Sequence, residues 1–276
     1  MWHNVYAIGI IFKKERKDKK MSLYFYDIKG DLHTHTIFSK HAYSTIEENI
    51  RAALNRDMKF LAITDHYYND GTDIDKKNEV VRIKYMEEYV QPHFSDIRIV
   101  SSAEFNLCQS LYDEKKLASV YWRPIGLHNW FLNSRAVNAE IVYNAFKKAV
   151  DDGFNAFVHI ERELYALTQG RYHLTDDDIK ELLASIVKLA KDKDIWLEVN
   201  ESSIARDEDG YNEYMNFWVN EAKALNCKIY LGTDAHYAAG VGVFDKVISM
   251  LNAVDYPKDL ILNCSVGWMN EVLKPR

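Results

Sequence analysis

The side chains with the most chemistry in this chain are histidines and carboxylates placed at the ends of apolar runs. Asp31-Leu32-His33-Thr34-His35-Thr36 is followed by His41, then by Thr64-Asp65-His66, Ala103-Glu104-Phe105, Gly126-Leu127-His128 and Val158-His159. The series closes at Gly232-Thr233-Asp234-Ala235-His236. Seven of the ten histidines fall in this set, with Glu104 and Asp234 beside them. Neutral imidazole and carboxylate are ligands that divalent zinc, manganese and iron accept. Nine such groups exceed the needs of one ion. Zinc usually takes four, and a carboxylate can bridge two ions, so the inventory suits two or three.

A lone histidine at a strand end is more often a hydrogen-bonded structural residue than a ligand. Spacing sets His33 and His35 apart. Residues two apart on an extended segment point to one face, so both imidazoles reach one ion. Asp234 and His236 repeat that spacing near the other end of the chain. Two same-face pairs, each preceded by an apolar or glycine-containing run, are hard to explain as packing.

The elements that must position these groups alternate along the chain. Strands are expected over Leu23 to His35, Lys59 to Thr64, Ile97 to Phe105, Val120 to Leu127, Asn155 to His159, Ile195 to Val199, Lys228 to Leu231 and Leu260 to Leu262. Between them the patterns predict helices over Ile46 to Arg56, capped by Ser44 or Thr45, Lys77 to Gln91, stopped near Pro92, and Ala139 to Asp151. Further helices are expected over Asp176 to Lys191, with an apolar stripe at Ile179, Leu182, Leu183, Ile186 and Leu189, and over Tyr211 to Leu225 and Val243 to Leu251. Strands alternating with helices imply a mostly parallel α/β sheet with right-handed crossovers. Every candidate ligand sits at or just past a strand's C-terminal end. In a closed barrel those ends form one face, which explains how residues from His33 to His236 can converge.

The 276 residues suit one domain, without a linker, low-complexity tract or internal repeat after Met21. A net charge of −6 argues against a protein whose main task is gripping nucleic acid. Three scattered cysteines, Cys108, Cys227 and Cys264, read as reduced thiols in a cytoplasmic protein. No apolar run approaches the length of a membrane span. At the N-terminus, apolar Val5 to Phe12 precedes the basic cluster Lys13 to Lys20, the reverse of a secretory signal. Residues 1–20 are therefore expected to lie outside the fold, which occupies 21–276.

Asp31-Leu32-His33-Thr34-His35-Thr36, Ile63-Thr64-Asp65-His66 and Gly232-Thr233-Asp234-Ala235-His236 resemble motifs of the PHP superfamily, named for polymerase and histidinol phosphatase. The resemblance runs from Gly30 to Leu251. Leu197-Glu198-Val199-Asn200-Glu201-Ser202-Ser203 further resembles the corresponding strand of the YcdX-type phosphatase branch. The resemblance implies a distorted (β/α)7 TIM-like barrel with a di- or trinuclear centre. It places one ion on His33, His35, Glu104 and Asp234, a second on Glu104, His128 and His159 with Glu104 bridging, and a third on His41, His66 and His236. Ile160 departs from the proline that follows this histidine in many relatives, and the stretch from Tyr121 to Arg123 is idiosyncratic.

What the resemblance implies is metal-dependent hydrolysis of a small phosphomonoester in the cytoplasm, with a hydroxide bridging two ions as nucleophile and Glu104 and Asp234 central to it. A zinc-bound water ionises near neutral pH, and the ions neutralise phosphoryl charge. Arg162 and Arg206 are candidate phosphate-binding residues, although each is more often a solvated surface charge. Asp31 and Asp65 are candidates either to orient the imidazoles or to cap turns. Tyr67, Tyr68, Trp130 and Tyr237 flank ligands and either wall the pocket or pack into the core. The competing readings are a histidinol phosphatase, a phosphodiesterase or exonuclease, and, in a different class, a non-catalytic metal-stabilised binding module.

Overall fold

Short apolar runs set between amphipathic helices leave one simple arrangement, parallel strands whose outer face is covered by helices. The computed structural model describes residues 22–67, 85–107, 120–128, 138–162, 164, 174–205 and 211–273. Its strands are β1 (Gly30–Thr34), β2 (Phe60–Ile63), β3 (His66–Tyr67), β4 (Arg98–Ser101), β5 (Glu104–Asn106), β6 (Pro124–Gly126), β7 (Ala156–Val158), β8 (Trp196–Asn200) and β9 (Ile229–Gly232). All pair in parallel, in the orders β1-β2-β4 and β3-β5-β6-β7-β8-β9.

β2 and β3 are pieces of one strand broken at Thr64 and Asp65, and β4 and β5 pieces of another broken at Ser102 and Ala103. Backbone bonds carry the pairing across the break: Ser102 N donates to Ile63 O at 3.0 Å and Glu104 N to Thr64 O at 3.0 Å. Counted this way, the described residues make seven parallel strand positions, the distorted (β/α)7 barrel that the resemblance implies. First and last positions meet through Asp234 N to His33 O at 2.8 Å and His35 N to Ala235 O at 2.9 Å. Lower down, β1 and β9 are joined by the side chain of Asn263. Its Nδ2 donates to Gly30 O at 2.8 Å and Leu231 O at 2.9 Å, and its Oδ1 accepts from Leu231 N at 2.7 Å.

The helices are α1 (Ile46–Asn55), α2 (Ala139–Asp151), α3 (Asp176–Lys193), α4 (Glu201–Ala205), α5 (Tyr211–Ala224), α6 (Asp245–Ala253) and α7 (Val266–Val272). Thr45 starts α1 and Thr175 starts α3 through reciprocal capping boxes with Glu48 and Asp178. Alternation along the strands sorts the apolar side chains into two layers. Leu61, Ile63, Phe157, Leu197 and Leu231 face outward under the helices. Phe60, Ala62, Ala156, Val158, Trp196 and Tyr230 fill the inside, closed at one end by Met269 and Leu273 at α7. No helix among the described residues is long and apolar enough to cross a membrane. Burial pushes the thiols of Cys227 and Cys264 up to about 11 and about 12, so both are protonated at neutral pH.

Four expectations are corrected. The first strand starts at Gly30, not Leu23: Asp27 accepts from Tyr24 N at 2.9 Å and winds Phe25–Asp27 into a 3-10 turn, leaving Tyr24, Phe25 and Tyr26 exposed. The strand expected over Ile97 to Phe105 is two strands, because the Ser102 hydroxyl turns aside to Trp122 O. Leu260 to Leu262 is not a strand but part of two 3-10 turns with a single bridge, Ile261 to Ile229, since the Asn263 side chain takes the place of a ladder there. Of the helix expected over Lys77 to Gln91, the described part is one wide turn, Met86–Val90, which tightens to 3-10 at Gln91–His93 where Pro92 enters. Its first half, the N-terminal twenty residues, Cys108, Tyr68, Trp130 and Arg206 lie outside the described residues.

Candidate metal centre

Delivery of the site begins with a flaw in β1. Asp31 pairs with Leu61 and Thr34 with Ile63, three steps on one strand against two on the other. The extra residue puts both Leu32 and His33 opposite Ala62. Leu32 fills the barrel interior, so unbroken alternation would send His33 outward; the bulge turns it back in, to Glu198. Gly232 on β9 leaves the room, since a Cβ there would collide with Glu198 Oε1 and His33 Cβ.

Accounting for protons at each ring shows what faces the centre. His33 Nδ1 lies 2.7 Å from Glu198 Oε1, and a carboxylate only accepts, so this nitrogen carries a proton. The Ser39 hydroxyl donates to Asp65 Oδ1 at 2.7 Å and therefore accepts from His35 Nδ1 at 3.0 Å. The Nε2 atoms of both rings are left to face each other at 3.0 Å. His35 Nε2 lies 3.0 Å from Asp234 Oδ1 and 3.5 Å from Glu104 Oε2; His33 Nε2 lies 3.6 and 3.5 Å from the same two oxygens. Ligands about 2.1 Å from a tetrahedral ion stand about 3.4 Å apart. The ligand atoms of His33, His35 and Asp234, all within 4.8 Å of one another, suit a divalent cation, with Glu104 Oε2 3.5 Å from both imidazoles.

Glu104 is the hub. Its Oε1 meets His159 Nε2 at 2.8 Å and His128 Nε2 at 3.0 Å, and its Oε2 meets His66 Nδ1 at 2.8 Å. Oε2 is buried without a hydrogen bond of good geometry, although three imidazole nitrogens surround it. Such a contact without a shared proton suits a common cation. The outermost set is looser: His41 is exposed, its Nε2 lies 3.2 Å from His66 Nε2, and its ring stacks 4.7 Å from that of His236. Ligand atoms of His35, His66 and His236 lie within 4.8 Å of one another. The fold thus brings all nine expected residues into one cleft, with His66 spanning the Glu104 group and the outer group.

The electrostatics match. Burial holds His35 down to about 3 and His159 down to about 4, so both are neutral at physiological pH. Burial opposes protonation of His33 too, but Glu198, Glu104 and Asp234 outweigh it and hold the ring well above its ordinary value. A proton and a divalent cation are therefore competitors for that ring. Burial works against charge on Glu104 and Asp234, yet surrounding histidines, and for Asp234 the Arg162 guanidinium first, keep both well below the carboxylate range.

Arg162 lies inside the site, but as a brace. Nη1 donates to Asp234 Oδ2 at 2.8 Å, Nη2 to Asn200 Oδ1 at 3.1 Å and Nε to Ser203 Oγ at 3.2 Å. Asp234 (φ 53°) and His159 (φ 25°) both adopt left-handed backbone, which side chains with a Cβ resist. Glu198 Oε2 accepts the His159 backbone N–H at 3.0 Å and so steadies that conformation. Asp65 supports His35 through Ser39, whereas Asp31 contacts no imidazole. It accepts from Thr233 N at 3.1 Å and Gly242 N at 2.9 Å, clamping the loop after β9. Burial lifts Asp31 to about 6 even so.

Sequence reasoning singled out the segment Leu197 to Ser203 by resemblance but gave Glu198, Asn200 and Ser203 no role, and it did not name Ser39. A signal existed in Glu198 and Asn200, two polar residues two apart at the end of an otherwise apolar strand.

Comparison with known proteins places this geometry in context. A family model described as "PHP domain" matches residues 31–202. A probable phosphatase from Clostridium acetobutylicum is 26% identical over 252 residues, covering 89% of this chain and 94% of that protein. One from Caldanaerobacter subterraneus is 28% identical over 264 residues, covering 89% and 91%. Among solved structures, the histidinol phosphate phosphatase of Lactococcus lactis, in complex with zinc, L-histidinol and phosphate, superposes with a TM-score of 0.55 at 18% identity, covering 84% of this chain and 93% of that one. A putative histidinol phosphatase from Listeria monocytogenes gives 0.56 at 16% identity, covering 78% and 97%. At these identities the two structures share the fold.

Proposed function

The chain belongs to the PHP-domain family, and from that premise we propose that it is a metal-dependent phosphatase acting on a small phosphomonoester. Two to three divalent ions, zinc, manganese or iron, are held in the cleft: one by His33, His35, Glu104 and Asp234, one by Glu104, His128 and His159, and one by His41, His66 and His236. The observation that carries this reading is the convergence of His33 and His35 Nε2 on two buried carboxylate oxygens at 3.0–3.6 Å, with the Nδ1 protons already assigned to Glu198 and Ser39. The phosphatase names of the relatives support the reaction class.

When bound, such ions make water acidic enough to ionise near neutral pH and neutralise charge on phosphoryl oxygens. The chain's own residues do the positioning. Glu104 and Asp234 supply the negative charge that offsets the ions, and they are the residues whose loss removes most. Glu198 and Ser39 hold two imidazoles in the tautomer that offers Nε2. Arg162 spends three of its five N–H groups on Asp234, Asn200 and Ser203, one on each, leaving two for a phosphate oxygen in the cleft it lines.

The test is elemental analysis after chelator-free purification, paired with phosphate release before and after metal removal. Two to three ions per chain are expected, with release lost on chelation while circular dichroism is unchanged. One ion or fewer rejects the multinuclear centre, and release indifferent to chelation rejects metal dependence. Monoester and diester substrates assayed side by side separate this reading from a phosphodiesterase. Histidinol phosphate in the same panel tests the substrate of the Lactococcus protein.

A further inference from the structure

Beside the metal cleft, about 340 Å³ in volume, lies a second hollow of about 550 Å³, and the two share Asp234, His236 and Tyr237. This volume is in the range of small-molecule sites, about 300–1,000 Å³. Its lining includes Ser202, Ala205, Ala235, Ala239, Gly240 and Val243. Small side chains make the space: a Cβ on Gly240 would already stand 3.3 Å from Ala235 Cβ and 3.6 Å from the Tyr237 ring. That ring, 57% exposed, lies where the two hollows meet.

The charges that border the second hollow are committed elsewhere. Glu201 accepts from Lys246 N at 3.0 Å and Val247 N at 2.8 Å, in the first turn of α6. Asp234 Oδ2 takes Arg162, and the Thr233 hydroxyl donates to Asp31. Among the described lining residues, small apolar groups, the Tyr237 ring and the Ser202 hydroxyl are left to meet a ligand, with the His236 ring at the border shared with the metal cleft. We propose that this hollow is the leaving-group subsite, and that the substrate is the phosphate ester of an uncharged, largely apolar alcohol of arylalkyl size that packs on Tyr237. A sugar placed here would exchange many hydrogen bonds to water for the few this lining offers, at a cost in affinity. The inference rests on the phosphatase reading above.

The test compares phenylethyl phosphate, ethyl phosphate and glucose 6-phosphate on the metal-loaded full chain, and the Kd values of phenylethyl- and ethylphosphonate. Phenylethyl phosphate should lead in kcat/KM by about 10-fold or more, as expected when several methylene equivalents enter an apolar pocket. Ala239→Trp and Ala205→Phe, both at exposed positions that tolerate bulk, should erase that lead while changing ethyl phosphate turnover by less than about threefold. The phosphonates should follow the same order in binding. A preference for glucose 6-phosphate, or equal losses on large and small esters in both variants, overturns the subsite alone. No release from any monoester overturns the phosphatase reading and the subsite with it.

Discussion

Glu198 Oε1 stands 2.7 Å from His33 Nδ1, and both side chains are fully buried. The same carboxylate takes the His159 backbone N–H at 3.0 Å and Asn200 Nδ2 at 3.1 Å, so three donors converge on two oxygens. Glu198→Gln keeps the shape but has one oxygen and an NH₂ group. One donor must then face a donor, and the relief open to His33 is to move its proton to Nε2, into the centre. Zinc affinity should fall by about 10–100-fold, the usual effect of losing a ligand's orienting partner. Competition with a chromophoric chelator measures it, and wild-type affinity in the variant would remove Glu198 from the site's design.

Gly232→Ala probes the same contact from the backbone side. The added methyl meets Glu198 Oε1 and His33 Cβ at less than contact distance; the first belongs to a carboxylate pinned by three donors and the second is tied directly to the backbone. A loss of about 1–3 kcal/mol in unfolding free energy is expected from such overpacking, together with reduced metal content. Urea denaturation and elemental analysis give the two numbers.

Glu104→Ala and Asp234→Ala should each abolish phosphate release, whereas His41→Ala should leave measurable turnover with a raised KM. Glu104 has ligand-type contacts with five histidines, while His41 is exposed at the rim of the cleft. Steady-state kinetics on the three variants, each with its metal content determined, decides the ranking. Equal loss in His41→Ala means the outer group shares the chemical step.

Arg162→Lys retains the charge and discards the fork. A lysine cannot reach Asp234, Asn200 and Ser203 together, so the carboxylate of Asp234 loosens. A drop in kcat/KM of about 10²-fold is expected, the scale of a 1 Å misplacement. Most of it should appear in kcat. A change confined to KM would point to a phosphate grip without the brace.

The barrel class and most element centres were legible because apolar runs and helix caps are local signals; α2 runs over the predicted residues, and of the two expected caps, Ser44 and Thr45, it is Thr45 that starts α1. The gathering of histidines and carboxylates in one cleft was legible because they stand at strand ends, which a parallel α/β barrel brings to one face. The turn of His33 into the barrel was not. Alternation alone predicts that it shares a face with His35, but Leu32 also faces inward, and only the register against β2 reveals the bulge that reconciles them. Likewise Asn263 reads as an ordinary polar residue near the C-terminus. Its partners Gly30 and Leu231 lie 233 and 32 residues away, beyond any local pattern. Arg162 was found by proximity to His159, while its hold on Asp234 depends on two strands meeting.

The join between the first and last strand positions has a consequence for how this protein comes apart. It is made at the top by the backbone of the ligand-bearing segments and lower down by one asparagine side chain, and Thr233 reaches Asp31 across 202 residues of chain. Joining ends so far apart in sequence carries a large loop-closure cost and comes late in assembly. A cation gripping His33, His35 and Asp234 together would therefore act as a clasp across the weakest line of the barrel. Stripping it should unfasten the two ends of the chain before the helical coat between them loosens, so the first amides to lose protection in hydrogen exchange should be those of His35 and Asp234.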